Sequence, residues 1–258
     1  MLLFLMRQRE KDKRWRKDRR EDDQLMENVN EFNWSKEAEK LWNSNSGNWH
    51  SRSRGMWEKG SRKEIIPFFS KHVDLARLIL DIGCGDGYGT LKLAQLGYKV
   101  KGIDFSPEMI SIAKREAIHN NLEFEQGNVM NLPLENDHAD ALLVINCLEW
   151  VQEPKTALLE LVRVLKPGGL ACIAVLGPTA GPRSNSYSRL NGEPAICNTM
   201  MPWEFTRLAE ENNLKLIDQH SVYKDGVSQE LAAPLSLELK QALSFLTLFM
   251  FINEKEMK

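Results

Sequence analysis

One run of residues in this chain has both the types and the order to do chemistry: Ile79-Leu80-Asp81-Ile82-Gly83-Cys84-Gly85-Asp86-Gly87. Glycines at 83, 85 and 87 let the backbone turn sharply. They also let a ligand touch it where any Cβ would intrude. A helix opening directly afterwards offers unpaired N–H groups to that ligand. A second carboxylate, Asp104, ends the next apolar run about 20 residues on, where it can accept hydrogen bonds from both hydroxyls of a ribose. A dinucleotide fingerprint is excluded. It requires GxGxxG, and its last glycine would fall on Tyr88 or Thr90. No pyrophosphate is therefore implied. Asp81, two residues before the first glycine, suits a cofactor made of a nucleoside and an amino-acid tail.

These residues need a frame. The apolar run Leu78–Ile82 predicts a strand, and 88–96 a helix stopped by Gly97. A second strand is expected over 98–103. Ser106 and Pro107 have the types of an N-cap and first helical residue, opening a helix to about 119. Leu122–Gln126 predicts a third strand. The nearly continuous apolar run 139–146 predicts a fourth, buried on both faces. Pro154 opens a helix whose residues Ala157, Leu158, Leu161, Val162 and Leu165 share one face. A Lys166-Pro167-Gly168-Gly169 turn then leads to a fifth strand over 170–176. Such alternation indicates an α/β chain with a doubly wound parallel sheet. Ligands of these sheets sit beyond the carboxyl ends of the strands.

The flanks are less regular. Trp34, Trp42, Trp49 and Trp57 fall among Asn, Ser and Gly, which predicts short helices over 36–42 and 62–70 joined by a polar loop. The simplest reading of these tryptophans is the apolar underside of a lid. Residues 177–201 read as a long functional loop. A helix (202–212), a strand (215–223), a helix (236–244) and a last strand (245–252) follow.

With the motifs in order, a resemblance is plain. Asp81 to Gly87 resembles motif I of class I S-adenosylmethionine-dependent methyltransferases, and Gly102-Ile103-Asp104-Phe105-Ser106 resembles their second motif. Gln126-Gly127-Asn128-Val129 to Leu132-Pro133 resembles the third. Glu160 to Gly169 resembles the segment before their fifth strand. The closest texture is that of the small-molecule branch that includes quinone-biosynthesis methylases. The resemblance implies a Rossmann-like seven-stranded sheet of order 3-2-1-4-5-7-6, with strand 7 antiparallel, under an N-terminal helical cap. It implies S-adenosylmethionine as cofactor and S-adenosylhomocysteine as product. Gly83, Gly85 and Gly87 would border the methionine part, with Asp81 near its amino group. Asp104 would hold the ribose diol and Phe105 would pack on the adenine. Asn128 and Val129 would sit at the adenine edge, with the Asn128 carbonyl accepting from the adenine amino group where many relatives carry Asp. Asn146 would close the site beneath the methyl group, and Arg62 would meet the cofactor carboxylate.

Methyl transfer from a sulfonium is an in-line displacement in which the cofactor carries the hard chemistry. A base is needed only if the nucleophile must lose a proton. Glu149 and His50 are the catalytic candidates. Each also has a structural reading, Glu149 as a helix-end or salt-bridge residue and His50 as a surface or packing histidine. His220 reads as a strand residue. Cys147 lacks the Pro-Cys setting of covalent base methylases, and Asn146-Cys147-Leu148 is not the Asn-Pro-Pro-Tyr motif of amino-group methylases. Arg183, Tyr187, Trp203 and Tyr223 flank the long loop and are candidate pocket residues, although Arg183 reads most simply as a surface arginine. The expected function is methyl transfer to an O, N or C nucleophile of a small molecule. The alternatives are RNA methylation and a non-catalytic cofactor-binding role.

Composition agrees with a globular fold. The 258 residues are 42% hydrophobic with a formal net charge of −2. Residues 1–24 carry nine Lys/Arg and six Asp/Glu, net +3, which leaves the remainder net −5. Residues 1–30 therefore read as a charged extension, a solvated helix or a disordered segment. Residues 31–258 read as the methyltransferase domain, divided into a cap (31–76), a cofactor-binding core (77–176) and a substrate loop with C-terminal strands (177–258). The four cysteines lack metal or disulfide spacing. No metal is expected, and a cytoplasmic setting is. The apolar runs are too short for a membrane span, and the near-neutral charge makes nucleic acid an improbable partner.

Overall fold

Apolar runs between Leu78 and Asn253 assemble into one seven-stranded sheet, seen in a computed structural model that describes residues 32–75 and 77–256. Its strands are β1 (Leu78–Ile82), β2 (Lys99–Asp104), β3 (Leu122–Gln126), β4 (Ala139–Ile145), β5 (Leu165–Leu176), β6 (Leu214–Tyr223) and β7 (Ser244–Asn253). Their order is β3-β2-β1-β4-β5-β7-β6. β1 to β5 run parallel, and β7 is antiparallel to both β5 and β6. This is the order and polarity expected from the sequence.

Eight α-helices flank the sheet among the described residues: α1 (Trp34–Glu58), α2 (Ile65–Ser70), α3 (Tyr88–Gln95), α4 (Pro107–Glu116), α5 (Pro154–Val164), α6 (Pro202–Glu210), α7 (Gln229–Ala232) and α8 (Leu237–Ala242). Alternation along the strands sends side chains to opposite layers. From β1, Leu80 and Ile82 join Leu158, Leu161 and Phe205 in one core layer. Ile79 joins Leu93, Trp57 and Phe69 in the other. β4 contributes Leu142 and Val144 to the first layer, Ala141 and Leu143 to the second. That is why its sequence is apolar apart from Asp140. Asp81 shares its face with Ile79 and so meets α3, where Thr90 donates to it at 2.6 Å.

Three expectations change. The two short helices and polar loop of the Trp-rich segment are instead one 25-residue helix, α1, followed by α2. Trp34, Ala38, Trp42, Asn45, Trp49, Arg52 and Met56 recur at three- and four-residue spacing and form one face. Packing of that stripe outweighs the weak helix propensity of the Asn, Ser and Gly residues on the rest of the helix. The loop 177–201 is not structureless, because Gly181–Asn191 forms a 3₁₀ segment ended by Gly192 at φ +78°. β5 starts at Leu165, earlier than expected.

Residues 34–258 form one compact unit. The reading of residues 1–30 as a charged extension lies outside the described residues. Among the described residues no helix is long and apolar enough to cross a membrane.

Candidate functional site

The glycine loop leaves the carboxyl end of β1. Gly83, Gly85 and Gly87 all have left-handed backbones, at φ +73°, +56° and +77°, which disfavours any side chain there. The Gly83 and Cys84 N–H groups donate to the Ile103 carbonyl at 2.7 and 3.1 Å. Gly85 N–H donates to Asp104 Oδ2 at 2.8 Å, and Ser106 N–H to Asp104 Oδ1 at 2.9 Å. One carboxylate thus fixes the loop after β1 to the turn after β2. Burial raises the Asp104 carboxyl above its ordinary range, against the opposing pull of the Ser106 and Gly85 N–H groups. Ser106 caps α4 by accepting from Met109 N–H at 3.1 Å. Its hydroxyl also donates to Asn43 Oδ1 at 2.6 Å, tying α1 to the same corner.

Beyond the loop lies a cavity of about 580 Å³. Its roof is the α1 stripe of Trp34, Trp42, Trp49 and Met56, and its floor includes Ile145, Asn146 and Leu176 at the ends of β4 and β5. Trp42 meets Trp49 and Trp150 edge-on, with ring centroids 5.7 and 5.2 Å apart, an arrangement favoured by the ring quadrupole. Trp49 Nε1 lies 3.2 Å from where a Cβ on Gly85 would stand. Trp34 Nε1 donates to the Trp150 carbonyl at 2.8 Å. Trp57 anchors the other end of α1, lying flush on Gly89, where a Cβ would collide with its ring.

Arg62 reaches the same space. Its guanidinium lies 4.6 Å from the Trp49 ring centroid and 5.5 Å from that of Trp57. It lines the cavity at 9% exposure and makes no side-chain hydrogen bond or ion pair among the described residues. Burial lowers it to about 10, while Asp86, Asp81 and Glu149 pull the other way. A buried cation without a partner favours an anionic ligand.

Of the residues singled out from the sequence, Gly83, Gly85, Asp104, Phe105, Asn128, Val129, Asn146 and Arg62 line the cavity. Asp81 stands behind it, bonded to Thr90. Gly87 also lies outside the lining. A Cβ there would stand 2.5 Å from Phe124 Cζ and 2.9 Å from Ala113 Cβ, so this glycine serves close packing. Gly87→Ala is therefore expected to destabilise the fold by about 2 kcal/mol through overpacking and its positive φ. Chemical denaturation against wild type measures it.

The catalytic candidates do not reach the cavity wall. His50 Nδ1 pairs with Asp86 Oδ2 at 2.9 Å, and Ser53 donates to Asp86 Oδ1 at 2.8 Å. His50 thus fastens α1 to the glycine loop. Glu149 is wholly buried. The Asn128 carbonyl, expected to accept from adenine, already accepts from Met130 N–H at 2.9 Å, so its amide N–H donors remain for a ligand. Arg183 is not a surface residue. At 7% exposure it donates to the carbonyls of Leu176, Gly177 and Met200. Tyr187 and Trp203 are exposed. His220 pairs with Glu64 on the edge strand. Sequence reasoning missed Trp150 and set Cys147 aside as a nucleophile, and both are in the lining. The Cys147 side chain stands 2.8 Å from where a Gly83 Cβ would be. The recurrence of Trp34, Trp42 and Trp49 about two helical turns apart was the available signal for the roof.

Residues 80–173 match the model of a methyltransferase-domain family. A demethylmenaquinone methyltransferase of Renibacterium salmoninarum is 34% identical over 137 residues, 51% of this chain and 57% of the relative. A norajmaline N-methyltransferase of Rauvolfia serpentina is 38% identical over 95 residues, 35% of this chain and 32% of the relative. A crystal structure of a S-adenosylmethionine-dependent methyltransferase from Methanosarcina mazei superposes with a TM-score of 0.59 at 20% identity, covering 74% of this chain and 98% of that one. The chain spans about half the length of the curated demethylmenaquinone methyltransferases it matches. Motif order, strand order and the match over residues 80–173 agree, and the segment is a class I S-adenosylmethionine-dependent methyltransferase domain.

Proposed function

We propose that the protein transfers the methyl group of S-adenosylmethionine to a small, largely apolar acceptor. The observation that carries this reading is the continuity of one cavity from the Gly85–Asp104 corner to the tryptophan roof. The residues fit the cofactor. Arg62 supplies a buried, unpaired cation for a carboxylate, Asp104 a fixed acceptor for a ribose diol, and Phe105 with Val129 an apolar shelf for a base. When bound, the cofactor supplies an electrophilic methyl group on a sulfonium.

The protein's part is then alignment and exclusion of water. Trp34, Trp42 and Trp150 form an apolar wall suited to a flat acceptor. Among the described residues the titratable groups in the lining are Arg52, Arg62, Asp104 and Cys147, and burial pushes the Cys147 thiol up from its ordinary value. No histidine or glutamate among the described residues stands in that lining. The four cysteines are all without disulfides, which supports a cytoplasmic setting.

Calorimetry tests the reading. S-adenosylmethionine and S-adenosylhomocysteine should both bind at sub-millimolar concentration, and failure of both overturns it.

Binding should also depend on pH. Burial pushes the Asp81 carboxyl up to about 7, against the Thr90 hydroxyl and the Arg62 charge. Its folded value lies above the unfolded one, about 3.9. The unfolded chain therefore sheds this proton first, and the group's contribution to stability declines as pH rises from about 4 to 7. A ligand ammonium near Asp81 reverses the preference by favouring the carboxylate. Cofactor affinity is expected to fall about tenfold between pH 8 and pH 6. Titrations at both values check it, and Asp81→Asn should flatten the difference.

A further inference from the structure

Glu149 is fully buried, and the reading above leaves it without a role. Its Oε1 accepts from Leu176 N–H at 2.5 Å and from Asn146 Nδ2 at 3.4 Å. Among the described residues its Oε2 has no hydrogen-bond partner, nor has Nη1 of Arg183. The rest of that guanidinium donates to the carbonyls of Leu176 and Met200, both at 2.6 Å, and of Gly177 at 3.0 Å. The two ions thus hold the same residue, Leu176, one by its N–H and one by its carbonyl. They also attract each other. Leaving a carboxylate oxygen buried and unpaired costs stability, so this arrangement is not explained by stability alone.

What the pair holds lies at the cavity floor. Asn146 and Leu176 both line it. Asn146 has a left-handed backbone, φ +50°, and its main-chain carbonyl accepts from Trp150 Nε1 at 2.8 Å. Glu149 Oε1 accepts from the Leu176 N–H and so faces Asn146 as an acceptor, which makes the Asn146 atom opposite it Nδ2. Oδ1, which has no partner among the described residues, is left for the cavity. An amide oxygen is the negative end of its dipole. It favours a positive centre and can receive a polarised C–H.

We propose that Glu149, braced by Arg183, is a positioning residue that locks the Asn146 amide with its oxygen toward the cavity, so that the site prefers a methylated sulfonium over the neutral thioether. This rests on the reading of the cavity as the cofactor site. The lock gives the fold a means to hold substrate cofactor while releasing spent cofactor.

The test compares the affinities of S-adenosylmethionine and S-adenosylhomocysteine by calorimetry, with no acceptor present. Asn146→Ala should lower the ratio in favour of S-adenosylmethionine about three- to fivefold, the order of a C–H···O contact. Its affinity for S-adenosylhomocysteine should stay near wild type. Glu149→Leu should lower the ratio equally, and the double variant no further. Glu149→Gln keeps an acceptor oxygen at this position and should preserve the ratio. If Glu149→Leu does not fold, Glu149→Asp, whose carboxylate falls short of Asn146, takes its place. A purely structural Glu149 would weaken both ligands alike, and an unchanged ratio in the Asn146 or Glu149 variants overturns the proposal. Wild-type protein that binds neither ligand overturns the proposed function as well, which separates the two failures.

Discussion

Asp104→Ala is expected to weaken S-adenosylhomocysteine binding by about 100-fold. Two charge-assisted hydrogen bonds to a diol are worth roughly 3 kcal/mol together, which is that factor. The carboxylate is already organised for the task, because Gly85 and Ser106 N–H groups hold its two oxygens at 2.8 and 2.9 Å. The ligand does not have to order it. The substitution also leaves those two N–H groups without their acceptor and frees the glycine loop from the turn after β2, so the loss should not be smaller than the diol alone predicts. Asp104→Asn keeps an oxygen for one N–H but loses the charge, and should fall between the two. Arg207, in an exposed ion pair with Glu211, is the control, and Arg207→Ala should leave affinity unchanged. Calorimetry decides it. An Asp104→Ala protein that binds like wild type would mean the nucleoside sits elsewhere.

Trp57→Ala should cost about 3–5 kcal/mol of stability, the usual range for emptying a buried tryptophan site. The side chain is 5% exposed, packs in the layer with Phe69 and Leu93, and lies flush on Gly89. Because Gly89 has no side chain to move into the void, the site is poorly able to collapse. Against a typical domain stability of 5–15 kcal/mol, the loss is large. It should also reach the cavity, since Arg62 is held between Trp57 and Trp49. Denaturant midpoints measure the first effect and cofactor titration the second. Trp203→Ala, at a 38% exposed site, should shift the midpoint far less. Equal shifts for the two tryptophans would show that α1 is not anchored through Trp57.

The sheet was legible because its signals are local. β1, β4, β5 and β7 are marked by largely apolar runs, and Ser106 and Pro107 announce α4 in adjacent letters. The glycine loop was legible for the same reason. Gly87 misled because positive φ and close packing both select glycine. Only the neighbours, Phe124 and Ala113, distinguish packing from ligand contact. α1 misled because its composition is that of a loop. The stripe that makes it a helix has meaning only when there is a cavity to cover. Arg183 misled because a lone arginine in a polar loop has no local mark of burial.

By itself the sequence determined the order of elements, the glycine turn and the carboxylate that follows it, since these depend on neighbours within a few positions in the chain. Tertiary structure decided which side chains face the cavity. It placed Arg62 among tryptophans without an ion partner, drew His50 away to Asp86, and buried Glu149 behind Asn146. The physical reason is that a side chain's charge and hydrogen bonding are set by desolvation and by partners far away in sequence. Glu149 and Arg183 are 34 positions apart, and only the folded chain makes them one unit.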